Sequence, residues 1–158
     1  MSKGGFSIVE MMVVIGVVAT LALMTLPSLL EKSIREQVME GLPLADIAKP
    51  PIVASWALVQ AFPADNAAAG LPLAEKIVGN YISSVSVQDG AINLTFGNQA
   101  SNSIKGKFLT IRPAVVEDTP MVPVAWICGN AAVPDKMTVK GVNKTNIAPL
   151  LLPLKCRL

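Results

Sequence analysis

The feature that most constrains this sequence is an apolar run over residues 6–30. It reads FSIVEMMVVIGVVATLALMTLPSLL, twenty-five residues in which Glu10 is the only charged side chain. As an α-helix rising 1.5 Å per residue, the run spans about 37 Å, enough to cross a hydrocarbon core of about 30 Å. Only Lys3 and the α-amino group precede it as positive charges. The positive-inside tendency therefore predicts a cytoplasmic N-terminus and export of the rest of the chain.

The composition of the 158-residue chain argues against catalysis. There is no histidine, which excludes a Ser-His-Asp triad, a Cys-His dyad and the common zinc sites. The sequence also lacks a glycine-rich phosphate-binding loop. We therefore expect neither an enzyme nor a protein that holds a cofactor.

Two ordinary explanations of the apolar run leave residues unexplained. A cleaved signal peptide has a shorter apolar core and a small-residue cleavage site, which Leu26-Pro27-Ser28 does not provide. An uncleaved signal anchor accounts for the length and the orientation. It does not account for Glu10, because a carboxylate in lipid costs several kcal/mol unless it is paired or protonated. Nor does it account for Gly4-Gly5, which leaves the backbone extended at the start of the run.

The residues around the start of the run resemble the class III signal of type IV prepilins. The stretch Lys3-Gly4-Gly5-Phe6-Ser7-Ile8-Val9-Glu10 has the short basic leader ending in Gly, then Phe, then a Glu five residues into the mature chain. Further along, Pro27, the segments 96–98 and 106–110, and the ending Lys155-Cys156-Arg157 are similar to major pilins. The resemblance is strongest over the first 30 residues.

The resemblance implies a processing step and an assembly contact. Prepilin peptidase, a membrane aspartyl protease, would cut between Gly5 and Phe6 and methylate the new amine of Phe6. Glu10 would then pair with the Phe6 amine of a neighbouring subunit, and removing one partner of such a buried pair typically costs about 3–5 kcal/mol. Pro27 lacks a backbone N–H, so we expect the helix to break there in the filament.

The same resemblance implies the role and the partners. The chain would be a subunit of a type IV pilus serving motility, adhesion or DNA uptake, a homopolymer with no cofactor. Its precursor would lie in the inner membrane, where it meets prepilin peptidase, the pilus assembly platform and its ATPase. A minor pilin or a type II secretion pseudopilin is the alternative within this architecture. A monomeric, signal-anchored periplasmic binding protein is the alternative of a different class, but it leaves Gly5-Phe6 and Glu10 unexplained.

The resemblance, together with residue patterns beyond the run, predicts an α+β fold in four parts. Residues 1–5 form the cleaved leader, 6–30 the transmembrane and filament-core helix, and 31–62 an amphipathic helix kinked near 41–51, where Gly41, Pro43 and Pro50-Pro51 interrupt the pattern. The globular head is 63–158. Within it, alternating apolar residues predict strands at 81–87 and 91–96, joined by a tight turn at Asp89-Gly90, and residues 107–112 and 122–128 supply two more strands. We expect a four-stranded antiparallel sheet with one face packed on the long helix, and on that helix Trp56 as a packing residue.

The C-terminal region carries two further predictions. If it lies outside the cytoplasm, Cys128 and Cys156 should pair; two separate buried thiols are the alternative. From residue 101 onward there are eight basic and three acidic residues. If the basic residues of the disulfide-closed region lie together, they form a patch for DNA or anionic surfaces; ordinary solvated lysines are the alternative. These residues are Lys136, Lys140, Lys144, Lys155 and Arg157.

Overall fold

The computed structural model describes Gly5 and residues 7–157, apart from the side chains of residues 24–28. Two compact units divide the chain, Met1–Ser33 and Ile34–Leu158.

Helix α1 runs from Ile8 to Gly41. In the first unit, every side chain between residues 8 and 23 is exposed. Among the described residues, no single helix is both long and apolar enough to cross a membrane. The apolar helix Ile8–Leu23 is shorter than such a span. One bent pair of helices, Leu29–Ile47 with Lys49–Val59, is long and apolar enough when the two are taken together.

The helical part of the second unit changes form twice. The end of α1 leads into a 3-10 helix, Leu42–Ile47, and then into α2, Lys49–Val59. Pro43 and Pro50 fall in the first turns of these helices, where a missing backbone N–H costs no helical hydrogen bond. Helix α2 ends earlier than the predicted Phe62, because Gln60 adopts a left-handed conformation with φ 51°.

One helical face of this segment is buried. Its spacing of three or four residues is that of a helix with one apolar stripe. The members are Val38, Leu42, Ala45, Ala48 and Ile52. They share one hydrophobic core with sheet residues that include Val85, Ile92, Leu94, Phe96, Leu109 and Ile111. The end of α1 thus packs on the sheet, as the sequence predicted.

The sheet confirms the four predicted antiparallel strands. They are β1 (Ile82–Gln88), β2 (Ala91–Phe96), β3 (Phe108–Val115) and β4 (Ala125–Cys128), hydrogen-bonded in that order. Asp89 and Gly90 both have positive φ, as a two-residue hairpin turn of matching twist requires. The sequence did not predict β5 (Thr138–Val139), which pairs with β3.

The second face of the sheet is covered by residues that follow β5. A Cβ on Gly141 would lie 2.6 Å from the Cβ of Ala91. The backbone N–H of Lys144 donates to Oγ1 of Thr110 at 2.9 Å, and Thr110 donates to Oδ1 of Asn93 at 2.8 Å. Asn93 and Thr110 are therefore buried and satisfied on a face that would otherwise be open to water.

Candidate functional site

Helix α1 begins with a capping box at Ser7 and Glu10. The backbone N–H of Ser7 donates to Oε2 of Glu10 at 2.9 Å, and the N–H of Val9 donates to Oγ of Ser7 at 3.3 Å. These two bonds satisfy N–H groups that have no acceptor within the helix. The spacing Ser-x-x-Glu is the sequence signature of this motif, which the sequence analysis overlooked at these positions.

The capping box fixes where the carboxylate of Glu10 lies. A carboxylate offers about four lone-pair sites, so one bond to its own helix leaves acceptor capacity for a second donor. A Cβ on Gly5 would meet no atom of the described residues within 4 Å. Phe6 and the side chain of Pro27 lie outside the described residues.

The disulfide joins the end of β4 to the last helical turn. Cys128 and Cys156 are bonded, with their Cα atoms 4.6 Å apart, which confirms the predicted pairing. Gly129, with φ 55°, permits a close approach, since a Cβ there would lie 2.8 Å from the carbonyl oxygen of Cys156. The same oxygen accepts a hydrogen bond from the N–H of Asn130 at 3.1 Å. The two chain segments are thus locked together over several residues.

A partly buried arginine lies next to the disulfide. Nη2 of Arg112 donates to the carbonyl of Gly129 at 3.3 Å, and Nδ2 of Asn143 donates to the same oxygen at 3.0 Å. Burial lowers the pKa of the Arg112 guanidinium from its usual value because desolvation disfavours the charged form. These contacts connect β3, β4 and the segment that follows β5.

Three of the predicted patch residues are engaged within the chain. Nζ of Lys140 lies 2.7 Å from Oε1 of Glu117, and this hydrogen bond and charge lower the pKa of the Glu117 carboxyl. Nζ of Lys144 donates to Oε1 of Gln88. Arg157 donates from Nε to the carbonyl of Leu152 and from Nη2 to that of Leu150, each at 2.7 Å.

Lys140 and Lys155 line two different clefts of the second unit. The first, about 360 Å³, is lined by Trp56, Phe62, Glu117 and Lys140, among others. Trp56 is 6% exposed and stacks on Phe62 with ring centroids 5.0 Å apart, and Phe62 in turn packs against the core that the helices share with the sheet. Trp56 is therefore a buried packing residue, as predicted. Its indole Nε1 finds no hydrogen-bond acceptor in the described part of the chain.

The second cleft, about 380 Å³, is named here the Trp126 cleft. Its walls come from the end of α1, the 3-10 helix, the sheet and the C-terminal turn. The lining residues are Met39, Leu42, Pro43, Asp46, Lys49, Ile111, Trp126, Cys128 and Lys155. Nζ of Lys49 lies 2.6 Å from Asp46 and 5.6 Å from the centroid of the Trp126 ring. Lys140 and Lys155 thus belong to different clefts rather than to one shared pocket.

Comparison with known proteins decides the family. A family model for pilins, the proteins of bacterial filaments, matches residues 35–157. The chain belongs to the pilin family. This pilin is 30% identical to the type IV major pilin protein PilE of Neisseria gonorrhoeae over 97% of its own length and 93% of that protein's. It is 31% identical to a fimbrial protein of Neisseria meningitidis serogroup B, over 84% of this chain and 76% of the relative. Similarity extends to the fimbrial protein EcpC of Eikenella corrodens, 29% identical over 81% of this chain.

These relationships make the chain a type IV pilin, a structural subunit of a cell-surface pilus that assembles with other pilin subunits. They point to a structural role. In the described part of the chain, no group of three or more Cys, Asp or Glu side chains is arranged to hold a metal ion.

Proposed function

We propose that this pilin is a major pilus subunit, made as an inner-membrane precursor, cut between Gly5 and Phe6, and polymerised with its own copies. The observation that carries the proposal is the relative from Neisseria gonorrhoeae, a type IV major pilin that aligns with 97% of this chain. Prepilin peptidase, the assembly platform and its ATPase are the partners that this route requires. A minor pilin would share all of these features and would differ in its copy number within purified filaments.

The contact that drives assembly is proposed to lie at the start of α1. Cleavage after Gly5 creates a cationic amine on Phe6, the residue directly before the Ser7 cap. Glu10 carries the only negative charge in the apolar run, so an amine from a neighbouring subunit is its natural partner in a water-poor filament core. Because an unpaired charge there would cost several kcal/mol, the pair sets the axial register of the subunits.

The capping box supports this assignment through the position of Glu10. It holds the carboxylate at the beginning of the helix, next to the backbone N–H of Ser7. A neighbour's amine would meet a carboxylate that is already oriented, which reduces the side-chain entropy lost on pairing. Ser7 is therefore proposed as a positioning residue for Glu10.

Binding of DNA or anionic surfaces is a second proposal, and the described contacts favour it less. Lys140 is neutralised by Glu117, and Arg157 is used on backbone carbonyls. What remains is repetition, since a filament presents each weakly attractive lysine many times along its length.

The proposed function is tested in a strain that carries a single, intact copy of the gene for this chain. Filaments are sheared from the cells, purified and analysed for protein content by gel and mass spectrometry. The proposal expects this chain as the dominant protein. A trace amount within filaments built from another pilin would assign it as a minor pilin and refute the major-subunit proposal.

A further inference from the structure

The Trp126 cleft combines an apolar floor with a cationic rim. Met39, Leu42, Ile111 and Trp126 supply apolar surface, and Asp46, Lys49 and Lys155 supply charge. Two lysines against one aspartate leave a net charge of +1. A cleft of this composition is complementary to an apolar side chain with a carboxylate beside it.

The two lysines on the rim differ in what they are free to bind. Lys49 is engaged, since its ammonium pairs with Asp46 and lies over the ring of Trp126. Lys155 is exposed, and its ammonium has no hydrogen bond or ion pair within the described part of the chain. Lys155 is therefore the cation available to an incoming carboxylate.

The chain itself carries a segment with the complementary properties. Among the described residues, three large apolar side chains are more than four-fifths exposed: Leu58, Met121 and Leu154. Leu154 is adjacent to Lys155, and the direct neighbours of Leu58 are uncharged. Met121, 91% exposed, lies in the β3–β4 connection a few residues after Glu117 and Asp118.

Of the two acidic residues, Asp118 is the one that remains available. Glu117 is paired with Lys140 at 2.7 Å. Asp118 is exposed, and its carboxylate has no ion pair or hydrogen bond in the part of the chain that the structure describes. Residues 118–121, named here the Met121 loop, therefore carry one free carboxylate and, three residues later, one protruding apolar side chain.

We propose that the Met121 loop of one pilin binds in the Trp126 cleft of the next, with Met121 against Trp126 and Asp118 facing Lys155. The contact joins two different surfaces, and such heterologous interfaces generate open helical filaments when they do not close into a ring. Methionine suits this role because its flexible thioether adapts to irregular clefts and packs well on aromatic rings. The proposal rests on the self-assembly proposed above and adds a contact between head domains.

Disulfide trapping in assembled filaments tests this geometry. The native cysteines are bonded to each other, and no free cysteine is present in the described residues. A chain carrying Asp118→Cys and Lys155→Cys should give a ladder of covalent oligomers when oxidised filaments are run on a non-reducing denaturing gel. The matched control replaces Asp118→Cys by Asp135→Cys, another exposed acid, and should give monomers.

Side-chain exchange tests the chemistry independently of cysteine. Lys155→Glu and Asp118→Lys should each lower filament yield about tenfold, since each replaces attraction by like-charge repulsion at a contact that every subunit makes. The double variant should restore most of the yield. Lys105→Glu, which alters an exposed lysine outside the cleft, controls for net charge. Met121→Ser should reduce yield more than Leu58→Ser.

The outcomes separate this inference from the proposed function. Wild-type chains that form no filaments would contradict the proposed function. Wild-type filaments together with a monomer-only gel for the trapped pair, or a Met121→Ser variant that assembles as well as Leu58→Ser, would overturn the Met121 contact. A ladder together with rescue by the double charge exchange would establish it.

Discussion

Removal of the disulfide should destabilise the second unit by an amount that depends on the length of the loop closed by the disulfide. Cys128 and Cys156 are 28 positions apart, and closing a loop of that size stabilises a fold by about 3–4 kcal/mol in the chain-entropy model. A domain of this size typically has a free energy of unfolding of about 5–15 kcal/mol. The disulfide is therefore expected to supply a large part of the stability of this unit.

Urea unfolding of the full chain in detergent micelles, followed by tryptophan fluorescence, measures this contribution. Trp56 and Trp126 both belong to the second unit, so the signal reports its unfolding. With a urea dependence of about 1–3 kcal/mol per M, reduction of the disulfide should lower the midpoint by about 1–4 M. The variant Cys128→Ala with Cys156→Ala should lower it further, because Cys156 is fully buried and its sulfur leaves a cavity.

A substitution in the same loop provides the control. Val133 is 43% exposed, so Val133→Ala should leave the midpoint within a few tenths of a molar of the wild-type value. If reduction shifts the midpoint no more than Val133→Ala does, the loop-closure reasoning is wrong, and the terminal segment is held by its hydrogen bonds alone.

Four further predictions concern processing, assembly and surface charge. Glu10→Ala should be inserted and cleaved but should assemble poorly, because the neighbour's amine loses its partner; pilus yield and the mature mass measure both effects. Gly5→Val should leave uncut precursor in the membrane fraction, because a β-branched residue before the scissile bond restricts the backbone. A filament map should show a few non-helical residues around Pro27. At each of them the rise along the anchor would increase from about 1.5 Å to about 3.3 Å per residue. Charge reversal at Lys140 and Lys144 should reduce retention of DNA by filaments at low salt, with a shallower dependence on salt.

Matched variants define the results that would contradict these four. Glu36→Gln, at an exposed acid outside the apolar run, should assemble normally, and equal yields for it and Glu10→Ala would refute the pairing. Gly16→Val should be processed normally, and normal cleavage of Gly5→Val as well would place the scissile bond elsewhere. Continuous helix through Pro27 in the filament would refute unwinding. Unchanged DNA retention would remove Lys140 and Lys144 from any binding role.

Local sequence signals were sufficient where neighbouring residues decide the structure. Asp89-Gly90 predicted a hairpin turn because few residue pairs accept positive φ at two successive positions, and both have it. Alternation of apolar residues predicted β1 and β2 to within one residue. The capping box at Ser7 and Glu10 is equally local, because the Ser-x-x-Glu spacing alone is its sequence signature.

Long-range contacts explain what the sequence did not show. The strand predicted to end at Arg112 continues to Val115, because Pro113 lies beyond the end of β2 and its carbonyl accepts the N–H of Lys140. Asn66 holds the loop before β1 by donating to the carbonyls of Pro72 and Val85. The partners of Asn66 and Pro113 are distant in sequence, so no local pattern announces them.

The separation of Lys140 from Lys155 has the same origin. In sequence, both are basic residues of one disulfide-closed region. In the fold, Lys140 follows β5 on the edge of β3, and Lys155 lies in the last turn beside the Trp126 cleft. The sequence shows how many lysines this region contains, but it does not show which of them forms an ion pair with an acidic residue.

The N-terminus of the chain recovered from filaments is the most direct test of the central claim. Sheared and purified filaments would be dissociated, and the intact subunit and its N-terminal peptide would be measured by mass spectrometry. The account predicts a dominant filament protein that begins at Phe6, carries one methyl group on that amine and retains the Cys128–Cys156 disulfide. A chain that still begins at Met1, or one absent from the filaments, would contradict it.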